Sequence, residues 1–523
     1  MTVRNILFIM CDQLRYDYLS CSGHPTLATP NIDRLANIGV RFDRAYVQSP
    51  VCGPSRMSFY TGRTVFSHGA TWNFVPLPIG EYTLGDYLRP CGVRVAVAGK
   101  THMFPDDEGF ARLGLNRTTE IGLHVSEAGY EPFERDDGLH PLQGADSDIS
   151  YNRWLRSLGY ESDNPWNDFA NAAQGPNGEI LSGWSLRNSR FPARVKEEHS
   201  ETAYITDRAL EFIDETGEAP WLLHLSYIKP HWPYMAPAPY HATYDESSIL
   251  PAVRSELEQV NPHPVYSAFM AMDAAQAFSR DEVRQTVVPA YMGLVKQIDD
   301  HVGRVLAKLE RKRRLGDTMI IFTSDHGDYL GDHWLGEKDL FHEQSVRIPL
   351  LIYDPDPRAD ATRGIIEPRF VEAIDLVPTF LDAMRVALPT HRLEGRSLLP
   401  LLRAQATGAW RSAVFSELDY AFYRARLTLN IGPSDARCYM LRTKRWKYSH
   451  YKGFRPQLFD LANDPNEIRD LGPSPEHACV RAELHHRLFD RLTDRRNRIA
   501  LTDEEVVRRT DQARAGGVII GEW

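Results

Sequence analysis

Five short apolar runs constrain the fold of this chain more than any other feature. They are Ile6–Met10, Val93–Ala98, Trp221–Tyr227, Met319–Thr323 and Ile348–Tyr353. Each is too short for a helix and most carry β-branched or aromatic residues, so each reads as a buried strand. Helical patterns lie between them. One begins at Pro30 and runs through Ala36, with Gly39 as its stop; another begins at Thr83–Leu88 and is ended by Pro90 and Gly92. The clearest spans about 281–313, where Val288, Tyr291, Val295, Ile298, Val302, Val305 and Leu309 step by three and four along one stripe. A coiled coil shares that period, but a run of this length within a mixed chain suits a core-facing helix. Strands alternating with helices predict an α/β fold, a large and mostly parallel sheet sandwiched by helices. The stretch 125–200, rich in Asp, Asn, Gly, Trp and Ser, reads as long excursions over the sheet edge. Near Pro389–Leu402 the pattern changes to short strands and turns, then a polar helix at about 475–500. That places a smaller C-terminal α+β domain, with short antiparallel strands and a helix, at 389–523, beside a larger domain at 1–388.

Charge and cysteine usage exclude several function classes. With 60 Lys and Arg against 70 Asp and Glu, the net charge of −10 offers no general footprint for nucleic acid. The run Arg311–Arg314 reads as a solvated helix end that complements the macrodipole. The first apolar run stops at Asp12 without a small-residue cleavage site, so no signal peptide is expected. No uncharged apolar stretch approaches the length of a spanning helix, so no membrane partner is expected either. The six cysteines form no C-x-x-C pair and too sparse a set for a disulfide scaffold. Cytoplasmic residence is the simplest expectation. The apolar tail Gly516–Trp523 reads either as a frayed end or as a segment that docks on a neighbouring subunit.

Ligands of a parallel α/β sheet sit beyond the carboxyl ends of its strands. Two strands end there in polar pairs, Asp12-Gln13 and Asp325-His326. Three oxygens and an imidazole nitrogen would make a divalent-metal site, while a capping Asp and a satisfied His would explain either pair alone. A third cluster is Ser49-Pro50-Val51-Cys52-Gly53-Pro54-Ser55-Arg56 through Thr61-Gly62-Arg63. Pro54 can begin a helix over Ser55–Thr61, with Gly62 ending it. Cys52 then stands at or just before a helix N-terminus, where the dipole and Arg56 favour an anion. It reads as a thiolate nucleophile or as a buried structural Cys.

The block Cys52-x-Pro54-Ser55-Arg56 with Thr61-Gly62-Arg63 resembles the modification motif of type I sulfatases in the alkaline phosphatase superfamily. Gly92 through Gly99-Lys100-Thr101-His102 is similar to that family's second sequence mark. Asp325-His326-Gly327, Lys338 and Ser345-Val346-Arg347-Ile348-Pro349 resemble its later metal region, and Pro230-His231-Trp232-Pro233-Tyr234 its substrate-histidine loop. Phe459-Asp460-Leu461 through Asp464-Pro465-Asn466-Glu467 looks like its C-terminal domain. Two departures stand out. Most of these enzymes carry two acids where Asp12-Gln13 stands and Asn where His326 stands. Gln13 and His326, and Asn73 within Trp72–Leu77, instead resemble the phosphonate monoester hydrolase and phosphodiesterase branch, although Gln13 is also found in choline sulfatases. Lys100 and His102 remain sulfatase-like.

The resemblance implies an alkaline-phosphatase-like catalytic domain and hydrolysis of sulfate esters, arylsulfatase-like, with promiscuity toward phosphonate monoesters and phosphate diesters. The alternative makes those phosphorus esters the principal substrates. It further implies that Cys52 is oxidised by a formylglycine-generating enzyme, a transient partner, and that the hydrated aldehyde attacks sulfur or phosphorus and later collapses to restore itself. Asp12, Gln13, Cys52, Asp325 and His326 would hold one divalent ion; the His nitrogen favours Mn²⁺, with Zn²⁺ or Ca²⁺ as alternatives. Arg56, Lys100 and Lys338 would offset the charge of a small anionic ester. His102 would be the base for the collapse and His231 the acid for the leaving oxygen, with Lys338. Asn73 and Thr101 would contact substrate. Related enzymes imply a homo-oligomer, dimer or tetramer.

Overall fold

In the computed structural model, which describes residues 3–138, 147–519, 521 and 523, the first strand is buried on both faces. Along β1 (Asn5–Asp12), Ile6, Phe8 and Met10 enter one apolar cluster while Leu7, Ile9 and Cys11 enter another. A strand covered on both sides has no polar face to alternate with, which is why the run is continuously apolar.

The sheet is completed by β2 (Val40–Tyr46), β3 (Arg94–Gly99), β4 (Glu131–Arg135), β7 (Trp221–Pro230), β8 (Thr318–Ser324), β9 (Arg347–Ile348), β10 (Leu350–Tyr353) and β11 (Ile365–Glu372); β5 (Ala172–Gln174) and β6 (Ile180–Ser182) form a separate hairpin. The order across the large sheet is β11-β2-β10-β8-β1-β7-β3-β4, with β9 beside β2. β1 runs parallel to β7 and β8, and β3 parallel to β7 and β4. β10 runs antiparallel between β8 and β2, so the sheet is mostly rather than wholly parallel. The expected single strand Ile348–Tyr353 is two, divided at Pro349, which has no N–H for the ladder. The 125–200 stretch is not all excursion, since it supplies the edge strand β4.

The long helix spans Asp281–Arg311, and all seven residues of its apolar stripe are fully buried. It packs on β7 and on the helices Pro30–Ile38 and Glu201–Glu215, so the stripe is a core face and not a coiled-coil seam. The helix expected from Thr83 is Leu84–Leu88, opened by a Thr83–Asp86 capping box and followed by a turn of 3-10 helix that Gly92 ends at φ 78.

A second sheet follows: β12 (Ala413–Asp419), β13 (Arg437–Thr443), β14 (Trp446–Tyr451) and β15 (Gln457–Asp460), antiparallel throughout. The helix Ala478–Thr493, shorter than its polar sequence suggested, covers one face through Leu484 and Leu488. Val414, Leu418, Met440 and Tyr451 belong to the first sheet's apolar cluster, so the two sheets share a core. Among the described residues no helix is long and apolar enough to cross a membrane. Ile520 and Glu522 of the apolar tail lie outside the described residues.

Candidate active site

Three adjacent strands, β8, β1 and β7, deliver their carboxyl ends to one place. Asp12 ends β1, Asp325 and His326 follow β8, and His231 follows β7. The chain leaves the sheet sharply there: Gln13 adopts φ 67, and its N–H donates to Asp325 Oδ1 at 3.0 Å. On the next strand Gly99 stands at φ 112, with the Ser226 carbonyl where any Cβ would lie. Only glycine fits that approach, and it aims the following Lys100 into the same region.

The fifth contributor is a helix whose Met57, Phe59 and Tyr60 pack into the same apolar cluster as Ile6, Phe8 and Met10 of β1. It spans Cys52–Thr61, three residues earlier than expected, with Pro54 in the first turn where its missing N–H costs nothing. Gly62 ends it at φ 71. The Gly53 N–H, unpaired within the helix, donates to Asn73 Oδ1 at 2.8 Å. Asn73 therefore anchors the helix end that carries Cys52.

Two buried carboxylates are held by fixed cations. Arg56 Nε donates to Asp325 Oδ2 at 2.8 Å and Nη2 to Asp12 Oδ2 at 3.1 Å; Nη1 donates to the Lys100 carbonyl and to Ser226 Oγ. Its guanidinium is thus committed to orienting the acids. Lys100 Nζ lies 2.7 Å from Asp12 Oδ2. Burial opposes ionisation of Asp12, but the cations of Lys100 and Arg56 outweigh it and hold the carboxyl well below its usual range.

Cys52 Sγ sits 3.0 Å from His326 Nε2 and 3.7 Å from Asp12 Oδ1. Asp12, Cys52, Asp325 and His326 each present one ligand atom, and these atoms all lie within 4.8 Å of one another in a wholly buried group. His326 Nδ1 faces the Gly327 carbonyl at 2.9 Å. A carbonyl only accepts, so the ring carries its proton there and leaves the Nε2 lone pair turned toward the acids. Burial, foremost, and then Asp12 push the Cys52 thiol up to about 12. The helix terminus and Arg56 do not make it a thiolate, because Arg56 is spent on the carboxylates.

His231 Nδ1 lies 2.6 Å from the Trp232 carbonyl, so this ring also keeps its proton on Nδ1. Burial holds it well below its ordinary value, and Nε2 accepts from Lys338 Nζ at 3.3 Å. In this state Lys338 Nζ supplies the proton of this contact and His231 Nε2 accepts it. Lys338 Nζ also donates to Gln13 Oε1 at 3.0 Å. Gln13 Nε2 in turn donates to Asp328 Oδ2 at 2.6 Å, which fixes the amide with its oxygen toward the site.

Thr101 and His102 are strapped down by Asp137, whose Oδ1 accepts both backbone N–H groups at 2.9 and 3.1 Å. The Thr101 hydroxyl donates to Glu127 Oε2 at 3.3 Å, so its proton is not directed at a substrate. His102 is buried, and its Nδ1 has no partner among the described residues. Burial, with Lys100 beside it, keeps its ring well below the ordinary value and therefore neutral.

Several groups of this site carried no sequence signal. Ser226 lies within an apolar strand, and Asp328 merely follows the Asp325–Gly327 motif. Tyr423 comes from the loop after β12: its hydroxyl bonds Asp339, the neighbour of Lys338, and its ring meets Trp72 edge-on at 4.7 Å.

The "Sulfatase" family matches residues 4–386, and "N-sulphoglucosamine sulphohydrolase, C-terminal" matches residues 331–494. The chain is 32% identical over 502 residues to the "Multifunctional alkaline phosphatase superfamily protein PehA" of Trinickia caryophylli, covering 92% of this chain and 93% of that protein. It is 27% identical to an "Arylsulfatase" of Clostridium perfringens, covering 90% and 91%. Among solved structures, the phosphonate monoester hydrolase SpPMH from Silicibacter pomeroyi superposes with a TM-score of 0.83 at 27% identity, covering 96% of this chain and 98% of that one.

Proposed function

The chain belongs to the sulfatase family within the alkaline phosphatase superfamily, and from that premise we propose that it hydrolyses sulfate esters in the manner of an arylsulfatase, with phosphonate monoesters and phosphate diesters as further substrates. A hydrolase of sulfate or phosphonate esters is the broader activity its relatives support. The observation that carries the finer reading is the placement of Cys52 against Asp12, Asp325 and His326, ringed by Arg56, Lys100 and Lys338.

The donor set fits a divalent cation: two carboxylates, an imidazole with a free lone pair, and Gln13 Oε1 as a further oxygen. Bound there, a cation would supply Lewis acidity at a non-bridging oxygen of the ester. The nitrogen favours Mn²⁺ or Zn²⁺ over Ca²⁺. Formylglycine at position 52 would supply an electrophilic carbon that hydrates, giving a nucleophilic oxygen where the thiol stands. The remaining work falls to the chain's own side chains. Lys100 and Lys338 offset the charge of the anionic ester. Lys338, hydrogen-bonded to His231, delivers the proton to the leaving oxygen. Neutral His102 takes up the proton released at residue 52. Transient docking of a formylglycine-generating enzyme, a homo-oligomeric state, cytoplasmic residence and the division into domains 1–388 and 389–523 belong to the same proposal.

A second reading, with phosphonate monoesters and diesters as principal substrates, draws on His326 and Gln13 and on the likeness to SpPMH. Mass spectrometry of the peptide around Cys52 tests the shared premise: formylglycine is lighter by the difference between hydrogen sulfide and one oxygen atom. A fully unmodified, active protein would refute it. Comparing kcat/KM for one phenol as its sulfate, phosphonate and diester then decides between the two readings.

A further inference from the structure

A cavity of about 500 Å³ opens where the segment 257–266 and His342 face β15 and the chain that follows it. Its size is that of a small-molecule site. None of the groups placed at the active site lines it. Two of its lining side chains are more than nine-tenths buried, and each holds a donor with no acceptor among the described residues. The His342 ring, 4% exposed, lies flat against His333, with centroids 3.9 Å apart and planes at 16°. Its Nδ1 is 2.8 Å from the hydroxyl of Tyr329, which is fully buried and has no other acceptor among the described residues. The hydroxyl therefore donates to Nδ1. Burial keeps the ring well below its ordinary value and so neutral, which puts its one proton on Nε2. Gln457, also 4% exposed, accepts from the Tyr451 hydroxyl on Oε1 at 2.6 Å, and that bond leaves Nε2 as the free end of the amide.

The acids of the cavity, by contrast, are spent. Glu258 accepts from the Ser255 N–H, the Tyr266 hydroxyl and His333 Nδ1. Glu467 accepts from the Glu343 N–H and lies 2.6 Å from Lys447 Nζ. Asp470 accepts from Arg455 and from the Leu458 and Gly472 N–H groups. Arg469, exposed on the same wall, has no ion pair among the described residues. The unfilled polar capacity is thus on the donor side, and the group that completes it is an acceptor. Water would serve two donors, but it does not cover Leu257 and Val260, which line the same cavity at 68% and 71% exposure. The complementary molecule carries both an acceptor and an apolar body. A carboxylate accepts at two oxygens and donates nothing.

We propose that this cavity is a second ligand site and that its occupant is a small amphipathic carboxylate. Its oxygens accept from His342 Nε2 and the Gln457 amide, its chain covers Leu257 and Val260, and Arg469 offsets its charge. Octanoate, octylammonium and acetate are titrated into the whole chain by calorimetry. Octanoate is expected to bind saturably at one site per chain, and the other two at least about tenfold more weakly, one lacking the acceptor and the other the apolar body. Gln457→Glu keeps an oxygen for Tyr451 and replaces the donor by a second acceptor, so octanoate should weaken by about tenfold or more. Arg469→Ala, at an exposed position, should weaken it about threefold. Lys100→Met, at the catalytic cations, should leave it within about twofold. If Gln457→Glu fails to fold by thermal unfolding, Arg469→Ala and the ligand series still decide. Absence of saturable octanoate binding, octylammonium binding as tightly as octanoate, or octanoate affinity unchanged in the folded Gln457→Glu and Arg469→Ala proteins would overturn the proposal. So would an equal loss in Lys100→Met, which would put the anion at the catalytic site. An oligomer that Val260→Asp dissociates by light scattering, in a protein that takes up no octanoate, would overturn it too, because a second copy of the chain would then cover this face.

Discussion

Arg56→Met removes the cation that holds both buried carboxylates while nearly preserving side-chain length. The arginine is fully buried and donates to Asp325, Asp12, Ser226 and the Lys100 carbonyl. After the substitution Asp12 still has Lys100 at 2.7 Å, but Asp325 keeps only the Gln13 N–H, at 3.0 Å, on its side chain. The damage therefore concentrates on Asp325. Breaking one partner from a buried pair costs about 3–5 kcal/mol, and the orphaned Ser226 hydroxyl and Lys100 carbonyl add about 1 kcal/mol between them. The loss should thus be about 4–6 kcal/mol in urea unfolding with a chelator present, so that no divalent ion replaces the missing charge. Adding Asp325→Asn to the same chain removes the stranded charge and should recover about half of it. Adding Mn²⁺ to the single variant should restore stability as well, because the cation would bind where the arginine's charge was lost. A loss below about 1 kcal/mol, or a double variant no more stable than the single one, would refute the claim that Arg56 compensates these two acids.

Three further outcomes are expected. Burial, with Glu394 adding to it, pushes the Glu417 carboxyl up to about 8. The folded chain therefore holds a proton that the unfolded chain loses near pH 4.3, and this contribution to stability is complete below that pH and falls away as pH rises toward 8. Glu417→Gln, which can still accept from the Phe66 N–H, should flatten that decline and be the more stable protein at pH 8 by on the order of a few kcal/mol in thermal or urea unfolding. Lys338→Met should slow esters of poorly acidic alcohols by about 10²–10⁴ while sparing nitrophenyl esters, and His231→Ala should show the same pattern more weakly; equal losses on both ester types would count against a proton donor at this pair. Tyr423→Phe should lower kcat several-fold with little change in KM and a stability loss of about 1 kcal/mol by unfolding, because it frees Asp339 beside Lys338; an unchanged kcat would leave Tyr423 a packing residue.

The fold was legible because its strongest signals are local. Ile6–Met10 and Met319–Thr323 can only be strands buried on two faces, and the stripe from Val288 to Leu309 can only be a helix with one face in a core. What stayed hidden depended on pairings between distant segments. The direction of β10 is set by where β8 and β2 leave room, and no residue of Leu350–Tyr353 announces an antiparallel neighbour. The edge strand Glu131–Arg135 was unreadable for a different reason. All five of its residues are only half-buried, and Arg94 on β3 meets Glu131 through an ion pair rather than through apolar packing.

The site divides in the same way, between what a residue type can do and what its surroundings allow. Asp12, Cys52, Asp325 and His326 were identifiable because a strand end or a helix start fixes where each points, and the sheet order then forces them together. Roles were harder to read than positions. Arg56 next to a thiol suggests an activator, yet its donors are taken by the two acids. Thr101 beside Lys100 suggests a substrate contact, yet Glu127 takes its proton. His231 suggests an acid, yet the Trp232 carbonyl fixes its proton on the far nitrogen and Lys338 occupies the near one. For Arg56 and Thr101 the deciding partner is a carboxylate distant in sequence, and for His231 it is the neighbouring Trp232 carbonyl together with the distant Lys338. Such groups have no motif, because every residue has a carbonyl and the chain has 70 carboxylates. The residues that assign the roles are therefore the ones a sequence cannot mark, and substitutions at Asp137, Asp328 and Asp339 will reveal more about mechanism than further changes at Cys52.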